Sequence, residues 1–278
     1  MIVNIKKKST PLILLNARIT KKSYNRWKNI SSTSKMLFSN FDICFSQNQE
    51  TKRYLKNLGA RKINLIGNLK FSESKSQKNN YIDNKLKKIF KSKKIWCAAS
   101  THHSEEKTCA LAHKKLKKKY NNLLTIIIPR HIQRTSNIID EIKNLDLKIQ
   151  TRSKSYKINN DTDVYLVDTY GESKSFYKVC RTVFLGGSLI NHGGQNPLEP
   201  LRFGCKILHG PHVQNFTEIY KLLEKNNLSS KFHNVDQLVY LINKSFIKKT
   251  NFTSKVSKLK KTGSNILNKT FSQINYYL

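Results

Sequence analysis

The sequence predicts an α/β protein built on parallel β-sheets. Short apolar runs recur along the chain, and most of them are separated by segments with helical spacing. The runs also end in glycine or polar residues, as strands do at the edge of a sheet. With 278 residues, of which 38% are hydrophobic, the chain is long enough for one large or two ordinary domains with a real core.

The alternation begins in the N-terminal part of the chain. Three apolar runs predict strands at residues 11–15, 43–45 and 63–66. Residues 48–58 have helical spacing that ends at Gly59, whereas residues 18–28 are basic and fit either a loop or a helix. Residues 1–8 resemble the end of an amphipathic helix, so we expect the chain to open within a fold. This part is predicted as the remainder of a Rossmann-like domain over residues 1–71.

A second domain is predicted after a linker at residues 72–84, which are polar, rich in lysine and without periodicity. Six strands are predicted at residues 95–99, 124–128, 147–150, 164–167, 183–185 and 206–208. Helical spacing occurs at residues 105–119, 197–203, 216–223 and 235–247. The alternation predicts a doubly wound Rossmann-like domain over residues 85–250, which binds ligands at the carboxyl ends of its strands. Residues 251–278 are predicted as a C-terminal helical tail.

The most informative stretch is residues 183–204, where an apolar strand breaks into glycines and a helix follows. Asn196 is a good N-cap, and Pro197 suits the first helical position. The unpaired N–H groups of that helix attract a phosphate or carboxylate. Glu199, in the first turn, is placed to accept hydrogen bonds from a ribose diol. The alternative is an ordinary strand-loop-helix connection in which Glu199 only favours the helix dipole.

Two other predicted strand ends carry polar residues that fit the same site. Arg130 follows Pro129 directly after a strand, so its guanidinium is expected at the ligand edge, where it either binds an anion or pairs with a surface acid. Tyr170, Gly171 and Glu172 follow another strand, and the glycine permits close approach of a ligand to the backbone. Because the ends of three predicted strands carry such residues to the same edge of the sheet, a nucleotide-binding site is favoured there.

The segment after the strand at residues 95–99 offers hydroxyls in Ser100 and Thr101. Either a hydroxyl contacts the ligand, or Thr101 or Ser104 caps the following helix. His102, His103, Glu105 and Glu106 superficially resemble a metal cluster, but they lack a metal-site spacing, so no metal is predicted. No histidine has an identifiable Ser or Cys partner, so a nucleophilic triad is not supported.

The net charge and the cysteine content limit the functions that the protein can have. The formal net charge is +35, yet lysines are spread along the whole chain, which indicates a general compositional bias and not a nucleic-acid-binding face. The charge should still attract the protein to anionic lipids. The five cysteines show no C-x-x-C pair and are predicted to be buried thiols of a reducing cytosol. No apolar stretch reaches the roughly 20 residues needed to span a bilayer.

Residues 193–200, GGQNPLEP, resemble the donor-site signature of the 3-deoxy-D-manno-octulosonic acid (Kdo) transferases of lipopolysaccharide assembly, which are GT-B glycosyltransferases of family 30. Further segments are similar in the same order: LNARI at 15–19, IGNLKF at 66–71, AASTH at 98–102, IPRH at 128–131, DTYGE at 168–172 and FLGGS at 184–188. The resemblance runs from about residue 11 to about residue 224, so it covers most of the chain.

The resemblance implies a GT-B fold in which a nucleotide-sugar donor domain follows the remainder of an acceptor domain. It implies transfer of Kdo from CMP-Kdo to a lipid A precursor, without a cofactor, on the cytoplasmic face of the inner membrane. Lys70 would stabilise transition-state charge. The residues implied to contact CMP-Kdo are Pro129, Arg130, Tyr170, Gly171, Glu172, Gly193, Gly194, Asn196, Pro197, Leu198 and Glu199.

The chain departs from the family in one respect. The acceptor half that precedes these segments in Kdo transferases, with its membrane-associating N-terminus and the carboxylate proposed as general base, has no counterpart here. One alternative is therefore a non-catalytic CMP-Kdo-binding fragment that needs a separate N-terminal half. A more remote alternative is a charge-driven polyanion binder, which predicts a steep loss of affinity with salt.

Overall fold

The computed structural model describes residues 5, 10–72, 82, 84–155, 157–247 and 253–277. These form two compact units. Unit 1 comprises Met1–Lys75 and Ser257–Leu278, and unit 2 comprises Ser76–Val256. The helix end predicted at residues 1–8 and the linker predicted at residues 72–84 lie largely outside the described residues.

Unit 1 contains a parallel sheet of three strands in the order β1-β2-β3. The strands are β1 Ile13–Ala17, β2 Ile43–Ser46 and β3 Ile63–Leu65. The helices are α1 Lys21–Asn29, α2 Ser31–Phe38, α3 Gln49–Asn57 and, from Ser257 onward, the C-terminal helix Thr253–Ile274. The three predicted strands and the helix predicted at residues 48–58 are confirmed. The basic residues 18–28, which fitted either a loop or a helix, largely form helix α1.

The end of β1 fixes the segment that carries Lys70. Asn16 adopts a left-handed conformation with φ 53°, and its Oδ1 accepts a hydrogen bond from Leu69 N at 3.1 Å. Leu69 begins a 3-10 turn, Leu69–Ser72, on which Lys70 is exposed. The C-terminal helix packs on the neighbouring segment, where Asn64 Nδ2 donates to Gln273 Oε1 at 2.8 Å. Two of the sequence segments that resemble Kdo transferases, residues 15–19 and 66–71, therefore meet in unit 1.

Unit 2 contains a parallel sheet of seven strands in the order β10-β9-β8-β4-β5-β7-β6. The strands are β4 Lys94–Thr101, β5 Leu123–Pro129, β6 Ile149–Thr151, β7 Val164–Leu166, β8 Thr182–Leu185, β9 Lys206–His209 and β10 Ser229–Lys231. The helices are α4 Asn84–Ser92, α5 Glu105–Lys117, α6 Thr135–Lys143, α7 Ser173–Tyr177, α8 Leu198–Arg202, α9 Thr217–Lys225 and α10 Val235–Ile247.

Helices cover both faces of this sheet, as expected for parallel strands that are apolar throughout. On one face, residues such as Leu86 of α4 and Phe176 of α7 pack against Val183 of β8. On the other face, Leu116 of α5 and Ile142 of α6 belong to a second buried cluster. The predicted α/β class with a doubly wound parallel sheet is confirmed.

The structure also contains elements that the sequence pattern did not predict. β10 has the polar sequence SSK, and its strand conformation follows from its pairing with β9. Helices α2, α4, α6 and α7 were not predicted, and α8 is shorter than the helix predicted at residues 197–203. A helix of five residues has a weak dipole, so the argument for anion binding at its N-terminus loses most of its strength.

The strand order reverses beside β4. The chain passes from β4 to β5 on one side, and later returns to place β8 on the other side of β4. In open parallel sheets, such a reversal opens a crevice at the carboxyl ends of the strands. The loops after β4, β5 and β8 therefore meet at one edge. Among the helices that the structure describes, none combines the length and apolarity that crossing a membrane requires.

Candidate nucleotide-binding site

A buried carboxylate holds the glycine loop after β8 against the end of β4. Glu105, fully buried at the start of α5, accepts hydrogen bonds from Gly187 N at 2.7 Å, Ser188 N at 3.1 Å and Leu189 N at 2.9 Å. It also accepts one from His102 N at 2.9 Å. Burial raises the pKa of Glu105, although all four N–H groups favour its charged form. This carboxylate thus fixes both loops at once.

Gly186 is the residue that lets this arrangement close. A Cβ atom at this position would lie 2.6 Å from Glu105 Oε2 and 2.6 Å from Thr101 Cα. Only glycine allows the backbone to pass so close to the end of β4. At Gly186 the requirement for glycine therefore comes from packing inside the protein.

The hydroxyls after β4 do not cap α5. Ser104 occupies the N-cap position but makes no capping hydrogen bond with its side chain, and Thr101 Oγ1 is buried without a hydrogen-bond partner among the described residues. The two capping alternatives suggested by the sequence are therefore wrong. Instead, the Glu105 carboxylate accepts the hydrogen bond from His102 N. The Ser100 and Thr101 hydroxyls gave no indication of this role for Glu105.

Arg130 stands where the sequence placed it. Pro129 ends β5 and is buried, and Arg130 is exposed directly after it, with its backbone N donating to Thr101 O at 3.0 Å. No carboxylate of the described residues forms an ion pair with Arg130, whereas Arg134 binds the buried Glu106 through two contacts at 3.0 and 3.1 Å. Arg130 is the arginine of this loop whose guanidinium is open to an external anion.

The loop after β7 brings Tyr170, Gly171 and Glu172 to the same edge. Tyr170 is 69% exposed, and its hydroxyl accepts a hydrogen bond from Gln133 Nε2 at 3.4 Å. Gly171 has a φ of 81°, so this turn favours glycine. The predicted contact of these residues with CMP remains a prediction.

Glu172 has a partner inside the protein. Arg152, 6% exposed, donates to its two carboxylate oxygens at 2.8 and 3.1 Å, and Thr169 Oγ1 also donates to it. Burial opposes the charge of Glu172, but these hydrogen bonds outweigh burial and lower its pKa. Glu172 thus holds the loop after β7 in shape. Arg152 was not identified from the sequence, because the two residues lie 20 positions apart with no motif between them.

Residues 193–197 form the turn that leads into α8. Gly193 has a φ of 107°, and a Cβ there would lie 2.7 Å from Asn215 Cγ. Gly194 N donates to Gly187 O at 2.8 Å. Asn196 Oδ1 accepts a hydrogen bond from Leu198 N at 3.1 Å, but α8 begins at Leu198 and its N-cap position is Pro197, so the predicted N-cap position at Asn196 is one residue too early. Pro197 has helical dihedral angles, φ −80° and ψ −10°, immediately before α8.

Glu199 lies in the first turn of α8 with its carboxylate accessible. Its side chain is 39% exposed, and Oε1 lies 3.6 Å from Lys174 Nζ of α7. A contact this long and exposed is weak, so the carboxylate oxygens are available to a ligand. The ion pair also links α8 to α7, the helix that directly follows the loop of Tyr170 and Glu172.

The predicted donor residues are therefore brought together at one edge of unit 2, with contacts that join the loops after β4, β5, β7 and β8. Lys70 belongs to unit 1, so its predicted role remains a prediction. The five cysteines are buried and free, as predicted. No group of three or more His, Cys, Asp or Glu side chains within the described ranges is arranged to hold a metal ion.

Comparison with solved structures gives the class of protein. The chain superposes with a TM-score of 0.56 on the C-terminal CMP-Kdo binding domain of WaaA from Acinetobacter baumannii, at 26% identity, covering 66% of this chain and 93% of that domain. It superposes on Anabaena HepE in complex with UDP with a TM-score of 0.57 at 11% identity, covering 100% of this chain and 75% of HepE. The fold is that of a GT-B glycosyltransferase.

Sequence comparison then gives the family. The model of the 3-deoxy-D-manno-octulosonic-acid transferases (kdotransferases) matches residues 1–73. Over 219 residues, the chain is 32% identical to the 3-deoxy-D-manno-octulosonic acid transferase of Haemophilus influenzae. The alignment covers 78% of this chain and 51% of that relative, so the chain spans about half the length of the protein it matches. Within the GT-B class, the chain is a relative of the Kdo transferases.

Proposed function

We propose that this chain binds CMP-Kdo and serves in the transfer of Kdo to a lipid A precursor of lipopolysaccharide. The observation that supports it most is the likeness of the chain to a CMP-Kdo binding domain over 93% of that domain. The convergence of Arg130, Tyr170 and Glu199 on one sheet edge supports the same conclusion. In this proposal unit 2 is the donor-binding domain.

The exposed side chains suggest the role of each residue. The Arg130 guanidinium binds the donor phosphate and offsets the charge that develops as the bond between Kdo and phosphate breaks. The Glu199 carboxylate accepts hydrogen bonds from the ribose hydroxyls. Lys70 adds positive charge to the leaving CMP. These cations provide the electrostatic stabilisation that a metal ion supplies in other transferases.

The reaction also requires a base. The acceptor hydroxyl attacks the Kdo carbon that bears the phosphate, the bond to phosphate breaks, and a base removes the hydroxyl proton. We assign this base to no residue of the chain. The Haemophilus influenzae relative is about twice as long as the aligned region. The alternative in which a separate N-terminal half supplies the base agrees with this difference in length.

We expect Kdo-modified lipid A precursor to form when this chain, CMP-Kdo and the acceptor are combined with the N-terminal half of a Kdo transferase. Mass spectrometry of the lipid product measures this, with the N-terminal half alone as the control. Product from the chain alone would show that no second polypeptide is needed. Absence of product in every combination, from folded proteins, would contradict a role in Kdo transfer.

We further propose that the protein works at the cytoplasmic face of the inner membrane, in peripheral contact with anionic lipid. The corner between α1 and α2 in unit 1 supports this, because it exposes cations next to apolar side chains. Ile30 is 50% exposed and Met36 is 57% exposed. The exposed cations of this corner are Lys21, Lys22, Arg26, Lys28 and Lys35. Such a mixture suits the boundary between lipid headgroups and acyl chains.

Replacing Lys22 and Arg26 with serine should weaken binding to phosphatidylglycerol vesicles by roughly fivefold per residue, since each basic residue near the surface contributes about 1 kcal/mol. Sedimentation with vesicles measures the bound fraction, and phosphatidylcholine vesicles provide the uncharged comparison. The matched control replaces Lys143 and Lys225, two exposed lysines on helices of unit 2. Equal losses from the two pairs would mean that total charge, and not the α1–α2 corner, drives binding.

A further inference from the structure

Three histidines from three different loops meet at the carboxyl edge of the unit 2 sheet. His102 follows β4, His131 follows β5, and His192 lies in the glycine loop after β8. The ring centroid of His102 lies 4.4 Å from that of His192 and 5.7 Å from that of His131. These are contacts between residues about 30 and 90 positions apart in the sequence, so only the fold assembles the cluster.

Two arginines lie near the cluster. Arg130 adjoins His131, and Arg134 lies one turn further on, bound to Glu106. Burial, together with His192, His131, Arg130 and Arg134, lowers the pKa of His102 to about 4, so its ring is neutral near pH 7. The carboxylate beside the cluster, Glu105, is buried and already accepts four backbone hydrogen bonds.

His102 Nε2 is buried and has no hydrogen-bond partner among the described residues. A buried polar atom without a partner costs free energy unless a ligand completes it. His131 and His192 are exposed beside this ring, so a ligand can reach them from solvent.

The first part of the glycine loop after β8 uses its backbone N–H groups inside the protein. In many nucleotide-binding proteins, free N–H groups of such a loop hold the phosphate. Here the N–H groups of Gly187, Ser188 and Leu189 donate to Glu105, and that of Gly194 donates to Gly187 O. These four N–H groups are therefore not available to an anion, and the side chains at this edge are the stronger candidates.

We propose that His102, His131 and His192, together with Arg130, bind an oxyanion at the sugar end of the donor, either its phosphate or the carboxylate of the sugar acid. The inference rests on the proposed function and names the part of the donor that these histidines recognise. The buried His102 serves the anion as a neutral hydrogen-bond donor, whereas an anion beside the exposed rings of His131 and His192 favours their protonated forms, so the site takes up a proton as it binds. Affinity therefore rises as the pH falls.

The test is calorimetric titration with three ligands: cytidine, the methyl ester of CMP, and CMP-Kdo. The methyl ester carries a phosphate whose charge stays constant through the pH range used. We expect its affinity to rise about tenfold as the pH falls from about 8 to about 6. If the bound anion raises the pKa of one histidine by one unit, the protonated site binds the anion about tenfold more tightly. Cytidine, with no anion, should bind equally at both pH values.

His192→Gln and His131→Gln keep a hydrogen-bond donor but cannot gain a proton, so each should flatten the pH dependence. His233→Gln, an exposed histidine after the edge strand β10, is the matched control. Circular dichroism of each variant verifies folding, and His131, exposed on its loop, is the change least harmful to folding.

The ligands separate the two sources of the anion. A rise with both CMP-Kdo and the methyl ester places the phosphate at the histidines, and a rise with CMP-Kdo alone places the carboxylate there. Affinities of both anionic ligands that do not change with pH in the unaltered protein would overturn the proposal. Failure of the proposed function looks different, because then none of the three ligands binds.

Discussion

Replacing Glu105 with alanine should lower the free energy of unfolding of unit 2 by about 3 to 5 kcal/mol. The carboxylate accepts hydrogen bonds from four backbone N–H groups, those of His102, Gly187, Ser188 and Leu189. Each buried donor left without a partner costs about 1 to 3 kcal/mol, and water entering the space offsets part of the loss. Urea denaturation measures the change.

The two tryptophans make this measurement specific. Trp96 is fully buried in β4 of unit 2, whereas Trp27 lies in α1 of unit 1. In a Trp27→Phe background, tryptophan fluorescence follows unit 2. Asp236→Ala is the matched control, because Asp236 is also an acid in the first turn of a helix, but it is 78% exposed and pairs with Lys115. This control should cost less than about 1 kcal/mol.

If Glu105→Ala were no more destabilising than Asp236→Ala, the carboxylate would not be what holds the glycine loop. Glu105→Gln should fall between the two variants, since one oxygen still accepts hydrogen bonds while the amide nitrogen faces donors. The order of the three variants is therefore as informative as the size of any one effect.

Replacing Arg130 with alanine should weaken the binding of CMP about 10- to 100-fold, because a hydrogen bond to a charged group contributes about 1.5 to 3 kcal/mol. The guanidinium is exposed at the end of β5, and none of the described carboxylates neutralises it. Calorimetric titration at near-physiological salt measures the affinity, with UMP as the comparison for base selectivity.

Arg181→Ala is the matched control, since Arg181 is also exposed but precedes β8, at the amino ends of the strands. Cytidine separates the roles of two residues: Glu199→Gln should weaken both cytidine and CMP, whereas Arg130→Ala should weaken only CMP. Equal losses from Arg130→Ala and Arg181→Ala, or binding that disappears with added salt for any polyanion, would favour the charge-driven alternative.

The sequence could predict the parallel α/β fold because its causes are local. Buried strands such as β5 and β8 are continuous apolar runs, and α5 and α10 show helical spacing. The hydrogen bond from Leu198 N to Asn196 and the position of Arg130 are also local, since each depends on residues within a few positions. For the same reason short or polar elements were missed: β10 and α7 carry too little pattern to be identified alone.

What the tertiary structure decided is which polar groups serve the protein and which remain for a ligand. Glu172 resembles a pocket residue in sequence, yet Arg152 holds it, and Glu105 resembles a metal ligand, yet it fastens a loop more than 80 positions away. Hydrogen bonding acts over about 3 Å in space, and sequence neighbours alone do not reveal those partners. The sequence by itself determined the fold class, the resemblance to Kdo transferases and the edge of the sheet where polar residues collect. Only the fold brought His102, His131 and His192 together, because parallel strands carry distant loops to one edge.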